Sequence, residues 1–244
     1  MGGILDVLSD LKETLSYLLF PSVCFYCKRD IPYKHKDPLC PDCLKKIFYI
    51  SPPYCLICGR YLYNGGMLCY SCLHKKQKSF FDFSRSVFMY GEEISSVIVS
   101  YKYRKFDWLS EWLSQKMIER FKTYSEFNEY DLITYVPISK RKLKERGFNQ
   151  TELLAKNLSK YFNIELVEAV KKIKDSRNQV ELNAKEREEN VKDSFEVILP
   201  EKVKDRKIIV IDDVATTMST LNEIAKVLKK AKAKKVACYT IARE

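Results

Sequence analysis

No uninterrupted apolar run of about 18 residues occurs in the chain, so none of its segments is expected to cross a bilayer. A basic leader is also missing. MGGILDVLSDLKETLSYLLF carries Asp6, Asp10 and Glu13 among its apolar residues, so a secretory signal is not expected. Ile4, Leu8, Leu11, Leu15 and Leu18 recur there at helical spacing. Residues 1–20 therefore read as an amphipathic helix that docks on the rest of the fold, in preference to a membrane-surface role. Histidine is reduced to His35 and His74, each beside a cysteine cluster and each read as a surface residue. Glycine is scarce as well, 7 in 244 residues, and none falls in the loop ATTMST at 215–220. Acids are outnumbered, 32 against 43 Lys and Arg, giving a net charge of +11. Residues 1–80 hold 11 of those bases and 6 of the acids, so the excess is not confined to one tail. Such a surface suits nucleic acid or phosphorylated ligands, although ordinary solubility charge looks the same.

What is present in quantity is apolar mass and sulfur. Hydrophobic residues make up 46% of the chain, which excludes a disordered polymer and allows one large domain or a small one plus a medium one. Eight of the nine cysteines form four CxxC pairs: Cys24/Cys27, Cys40/Cys43, Cys55/Cys58 and Cys69/Cys72. Two sulfurs at this spacing sit on one tight knuckle, and two knuckles complete the tetrahedral sulfur shell that zinc prefers. Disulfides are the competing reading, disfavoured in a reducing cytoplasm, which is the expected location; a place near the inner face of the membrane stays open. First-with-second and third-with-fourth pairing is expected, and the spacing also permits a crossed scheme. Four thiolates leave no open position for a water nucleophile, so two structural zinc ions are expected. The ninth cysteine, Cys238, alternates within KVACYTIAR and reads as a core strand residue.

Organisation follows the cysteines. A zinc-binding module over 21–80, an internal repeat around the linker SPPY, gives way to an α/β domain over 81–244. SRSVFMY, DLITYVPIS, IELVEAVKKI, FEVIL, KIIVIDDV and KVACYTIA read as strands, the second halted by Pro137. ISSVIVSYKY, WLSEWLSQKMIERF, GFNQTELLAKNLSKYF and STLNEIAKVLKKAKA read as helices, and KDSRNQVELNAKEREENVKD as a mobile loop with some helix or a solvated linker. Alternation of strands and helices predicts a mainly parallel sheet covered on both faces, with its ligand site beyond the carboxyl ends of the strands.

IIVIDDVATTMST, 208 to 220, falls at such an end. Ala215, Thr216, Thr217, Met218, Ser219 and Thr220 lead into a helix whose first N–H groups are unpaired, a cradle for one phosphate; helix capping alone would also explain the hydroxyls. Asp212 and Asp213 just before it suit vicinal sugar hydroxyls or a magnesium ion. In YKYRK, the cations Lys102, Arg104 and Lys105 interleave with Tyr101, Tyr103 and Phe106, a pattern that suits single-stranded nucleic acid and equally a solvated helix face.

The strand, paired acids and TT loop resemble the phosphoribosyl pyrophosphate signature of the type I phosphoribosyltransferases. VPISKRKLKERGFNQTELLA, the cysteine module followed by SYKYRKFDWL, RNQVELNAKEREENVKDSFEV and the closing TIAR together resemble the ComF family, over nearly the whole chain. The resemblance implies a type I phosphoribosyltransferase-like parallel sheet flanked by helices, preceded by a small zinc-binding module with four cysteines to each ion. It implies that Asp212 and Asp213 contact the ribose and 215–220 the 5′-phosphate. Ser139, Lys140 and Arg141 would approach the pyrophosphate, with Arg146, Gly147, Asn149 and Gln150 near them, and magnesium would accompany the ligand. Gln179, Leu182 and Arg187 would belong to a loop that closes over substrate. The implied role is competence: handling single-stranded DNA, with competence or recombination proteins as partners and phosphoribosyl transfer to an unidentified acceptor as the activity. A nucleobase-salvage transferase and an inactive binding scaffold are the alternatives. One departure stands out. Met218 occupies the position where the transferase pattern has glycine, and a side chain there forfeits free access to left-handed backbone and crowds the phosphate.

Overall fold

The computed structural model describes residues 22–74, 79–103, 106, 108–174, 189 and 191–244. The N-terminal helix expected over 1–20, the substrate-closing loop with Gln179, Leu182 and Arg187, and Arg104 and Lys105 lie outside the described residues. Within them, no helix is long and apolar enough to cross a membrane.

The cysteine repeat folds as two similar ribbons. Each opens on a knuckle in which the first cysteine carbonyl accepts from the amide four residues on: Lys28 N–H to Cys24 at 3.1 Å, Gly59 N–H to Cys55 at 2.9 Å. Each closes on a short helix whose N-cap is the third cysteine, α1 (Pro41–Leu44) after Cys40 and α2 (Tyr70–Leu73) after Cys69. Gly59 is glycine for two reasons. Its φ is +69°, and a Cβ there would lie 2.6 Å from the Ser84 carbonyl oxygen.

Next come β1 (Phe83–Met89), α3 (Glu92–Tyr103), α4 (Trp108–Phe121), a 3-10 turn (Ser125–Glu129) and β2 (Leu132–Tyr135). They are followed by α5 (Lys140–Arg146), α6 (Gln150–Phe162), β3 (Glu165–Leu166), β4 (Val170–Lys172) and β5 (Phe195–Val197). The chain continues through α7 (Pro200–Val203), β6 (Lys207–Ala215) and α8 (Ser219–Lys230) to β7 (Lys235–Arg243). Five strands form one parallel sheet in the order β1-β7-β6-β2-β3.

Its two faces follow from the two-residue period of a strand. Ile209, Ile211, Ala237, Tyr239 and Ile241 join a buried cluster with Tyr101, Leu109, Leu113, Leu154 and Leu158 of α3, α4 and α6. Ile208, Val210, Val236 and Cys238 join the opposite cluster with Leu221, Ile224 and Leu228 of α8. Burial on both faces explains why β6 and β7 read as nearly continuous apolar runs.

IELVEAVKKI does not form one strand. The adjacent apolar pair Leu166–Val167 breaks the alternation, so β3 stays in the main sheet while β4 pairs antiparallel with β5 in a separate ribbon. The stretch after VPI, where the resemblance implies a loop that approaches the pyrophosphate, is instead the helix α5. Ser139 caps α5 by accepting from the Lys142 amide, and Gly147 ends it in left-handed backbone at φ 81°.

The cysteine module is part of the sheet architecture. β1 is an edge strand, and its outer edge is paired by the ribbons: Ser84 N–H to the Ile57 carbonyl at 2.7 Å, Met89 N–H to Phe48 at 2.9 Å, and Ile50 N–H to Val87 at 2.9 Å. An edge that would otherwise template association is thereby closed.

Candidate functional site

Strand β2 stops at Pro137, and its last ladder bond is Val136 N–H to the Ile211 carbonyl at 3.0 Å. β6 runs on to Ala215 beside β7. A crevice therefore opens where the sheet changes direction, between a β6 that leads to β7 and a β2 that leads to β3. It encloses about 140 Å³, lined by Asp212, Asp213, residues 214–221, Val136, Pro137, Ile138, Phe195 and four cations: Lys102, Lys142, Arg146 and Lys172.

Adjacent on a strand, the two acids face opposite sides of the sheet. Asp213 points toward α3 and α6 and is buried. Its Oδ2 accepts from Lys102 Nζ at 3.0 Å and Gln150 Nε2 at 2.9 Å. Burial opposes its ionisation, but the Lys102 ammonium and the Gln150 amide outweigh that and hold its carboxyl below the usual range. Asp212 is only partly buried and lines the crevice, with Oδ1 accepting from the Asp213 amide at 2.8 Å. Desolvation first, and the neighbouring Asp213 charge second, push its carboxyl up.

Arg146 is buried at the end of α5. Its guanidinium donates to Gln150 Oε1 at 2.8 Å and Tyr103 Oη at 3.2 Å, and lies 5.0 Å over the Tyr103 ring. Its Nε is buried and makes no hydrogen bond among the described residues. Lys142 sits one helical turn earlier on the same face. Burial, reinforced by the Arg146 charge, lowers its pKa.

The loop between β6 and α8 closes on itself through Thr217 Oγ1 and Ser219 Oγ, 2.8 Å apart. Met218 holds φ 67°, ψ 3°, the left-handed geometry that glycine adopts freely. Its side chain is buried in the cluster with Ala215, Leu221 and Cys238. The loop has thus formed with methionine in the glycine position.

The expected residues divide. Asp212, Asp213, Arg146, Gln150 and 215–220 meet at one crevice. Ser139 is buried as a helix cap, while Lys140 and Arg141 are exposed outside the crevice, Arg141 paired with Glu145 at 3.8 Å. Lys102, assigned from sequence to nucleic acid, has its ammonium on Asp213 inside the crevice. Two more cations of the crevice, Lys142 and Lys172, are no part of the expected sugar-phosphate site, although Lys142 is one of the basic residues of 140–146 that also suit nucleic acid. For Lys142 the i,i+4 spacing with Arg146 is the available signal, and for Lys172 the sequence carries none.

The eight CxxC sulfurs gather sequentially into two sets, Cys24/Cys27/Cys40/Cys43 and Cys55/Cys58/Cys69/Cys72, each with its ligand atoms within 4.8 Å of one another. Cys27 and Cys40 sulfurs are 3.7 Å apart, Cys58 and Cys69 3.6 Å. Ligands about 2.3 Å from a tetrahedral zinc ion are separated by roughly 3.8 Å, so both sets suit that ion. Cys238 is fully buried in β7, as its pattern predicts, and His74 is exposed whereas His35 is half-buried, its Nε2 2.8 Å from the Leu39 carbonyl.

Comparison with known proteins agrees with this layout. Residues 15–73 match the model of a double zinc ribbon domain, and residues 150–244 that of a phosphoribosyl transferase domain. Competence protein F of Haemophilus influenzae is 31% identical over 225 residues, covering 90% of this chain and 96% of that protein. The DNA utilization protein YhgH of Escherichia coli is 28% identical, covering 93% and 99%. Competence protein ComFC of Bacillus subtilis is 25% identical, covering 86% of each. With its double ribbon, its phosphoribosyltransferase-type sheet and these relatives, the chain belongs to the ComF family of competence proteins.

Proposed function

We propose that the crevice binds phosphoribosyl pyrophosphate and that the protein couples this site to the handling of single-stranded DNA. The observation that carries the first part is the layout of the crevice. Two acids lie beside four cations, with a hydroxyl-rich loop at a helix N-terminus next to them. Asp212 and Asp213 accept from the ribose hydroxyls. Lys102, Lys142, Arg146 and Lys172 balance the diphosphate, and the unpaired Arg146 Nε gains an acceptor. Residues 215–220 take the 5′-phosphate. Magnesium fits the same reading, because Asp212 and Asp213 are the only carboxylates lining the crevice among the described residues; when bound it would offset diphosphate charge. In a transfer reaction an acceptor nucleophile would bond to the ribose carbon as the diphosphate leaves with the bonding pair, and the cations would hold the departing charge.

The DNA reading rests on the names of the relatives and on the α3–α4 junction, where Tyr103 and Trp108 are 64% and 43% exposed.

Thermal unfolding with added phosphoribosyl pyrophosphate and magnesium tests the ligand reading. At a hundredfold excess over Kd, linkage adds about 2.7 kcal/mol, a rise in Tm of roughly 5–10 °C for a chain of this size. No rise, with ribose 5-phosphate and pyrophosphate equally silent, would leave the fold as a scaffold and turn the search to nucleic acid.

A further inference from the structure

The second ribbon and the phosphate loop share a residue. Arg243, the last residue of β7, is buried between them. Its Nε donates to the Cys58 carbonyl at 3.2 Å. On the other side its Nη1 donates to the Ala215 carbonyl at 3.0 Å and to the carbonyls of Thr216 and Glu244. A trans peptide is planar, with its N–H opposite its C=O. Holding the carbonyls of Ala215 and Thr216 against Arg243 therefore turns the N–H groups of Thr216 and Thr217 to the far side, and both residues line the crevice.

Two further contacts make the ribbon a firm support. The Cys55–Cys58 knuckle is seated on β1 by the Ser84 N–H bond to Ile57, at 2.7 Å, and by the close approach at Gly59. Cys55, Cys58 and Cys69 also share one apolar cluster with Ala215, Met218 and Leu221, the residues that shape the loop. Cys24, Cys40 and Cys43 belong to the other cluster, with Val87, Phe88 and Trp112.

We propose that Arg243 is a positioning strut through which the second ribbon shapes the phosphate loop. Metal occupancy at Cys55, Cys58, Cys69 and Cys72 is then linked to anion affinity at 215–220, and occupancy of the first ribbon is not. The strut stands on geometry alone; its link to anion affinity rests on the sugar-phosphate reading above. Linkage of this kind is reciprocal, so a bound sugar-phosphate tightens zinc binding at the second ribbon.

The test is hydrogen exchange of the zinc-loaded full chain, without added ligand, at two amides paired onto loop carbonyls, Asn222 on Met218 at 2.8 Å and Glu244 on Ala215 at 3.0 Å. Arg243→Gln keeps all eight ligand cysteines and is expected to raise exchange there about tenfold, with first-ribbon amides unchanged. Arg243→Lys, which retains a donor toward the loop, is expected to restore part of the protection. Cys69→Ser is expected to loosen the same amides, and Cys40→Ser is not. Wild-type exchange at both amides in Arg243→Gln overturns the strut. Equal loosening by Cys40→Ser overturns its assignment to the second ribbon. Equilibrium competition for zinc with a chromophoric chelator, with and without phosphoribosyl pyrophosphate, then reads the linkage. If the compound binds and the zinc affinity of the second ribbon is unchanged, the linkage is wrong. If the compound does not bind, the sugar-phosphate reading and the linkage built on it both fail, while the exchange data still decide the strut.

Discussion

Asp212 and Asp213 differ because a strand turns successive side chains to opposite faces, whereas IIVIDDV reads as offering both acids to one ribose. What the sequence could not show is that Lys102, over a hundred positions away, would ionise one of them. Asp212 is left with a raised pKa, so the folded protein holds its proton at pH values where the unfolded chain, near 3.9, has lost it. Stability from this group therefore falls as pH rises from about 3.9 toward the raised native value. Asp212→Asn is expected to stabilise the protein by about 1 kcal/mol at neutral pH while abolishing sugar-phosphate binding, measured by denaturant unfolding and titration. Titration of the wild type in buffers of different ionisation enthalpy should show proton release on binding, with affinity increasing as pH rises. Lys102→Ala should leave Asp213 buried without its cation, cost about 3 kcal/mol, and raise the pH at which affinity is lost. Met218 presents the opposite balance. Its left-handed backbone costs about 1 kcal/mol, and its buried side chain returns more. Met218→Gly is expected to lower stability by about 1–3 kcal/mol and to leave affinity equal or higher. A Met218→Gly protein more stable than the parent would show that the methionine is tolerated rather than used.

Among elements, those with a clear apolar period were legible: β1, β6 and β7, and α3, α4, α6 and α8, and Asn149 caps α6 by accepting from the Thr151 amide at 3.2 Å. α5 was missed because KRKLKER offers one apolar residue, Leu143, and that residue is exposed. Its existence rests on Ser139 and Gly147 at its ends, signals that were in the sequence and were read as a ligand loop and a family motif. This helix matters to the site because it carries Lys142 and Arg146 on one face. Ser139→Ala is expected to cost about 1 kcal/mol and to weaken sugar-phosphate binding several-fold by loosening both cations, whereas Lys140→Ala, exposed on the other side, should change neither. Equal losses from the two variants would contradict the placement of α5.

At the scale of the molecule, the cysteine spacing announced two metal ribbons, but their seat on the edge of β1 depends on long-range backbone pairing that no local pattern encodes. The seat predicts a consequence of metal loss. Chelation should unpair β1, expose its edge and drive self-association, seen as light scattering that rises with protein concentration. Gly59→Ala, which would press a Cβ 2.6 Å from the Ser84 oxygen, should produce a milder form of the same behaviour with zinc still bound. The sheet, the ribbons and the crevice converge on one claim, that Asp212 and Asp213 hold a ribose. Calorimetric titration of the zinc-loaded protein with phosphoribosyl pyrophosphate and magnesium, beside the Asp212→Asn/Asp213→Asn double variant, tests it most directly. The account predicts saturable binding of one equivalent by the parent and none by the variant. Equal binding by both, or by neither, would contradict it.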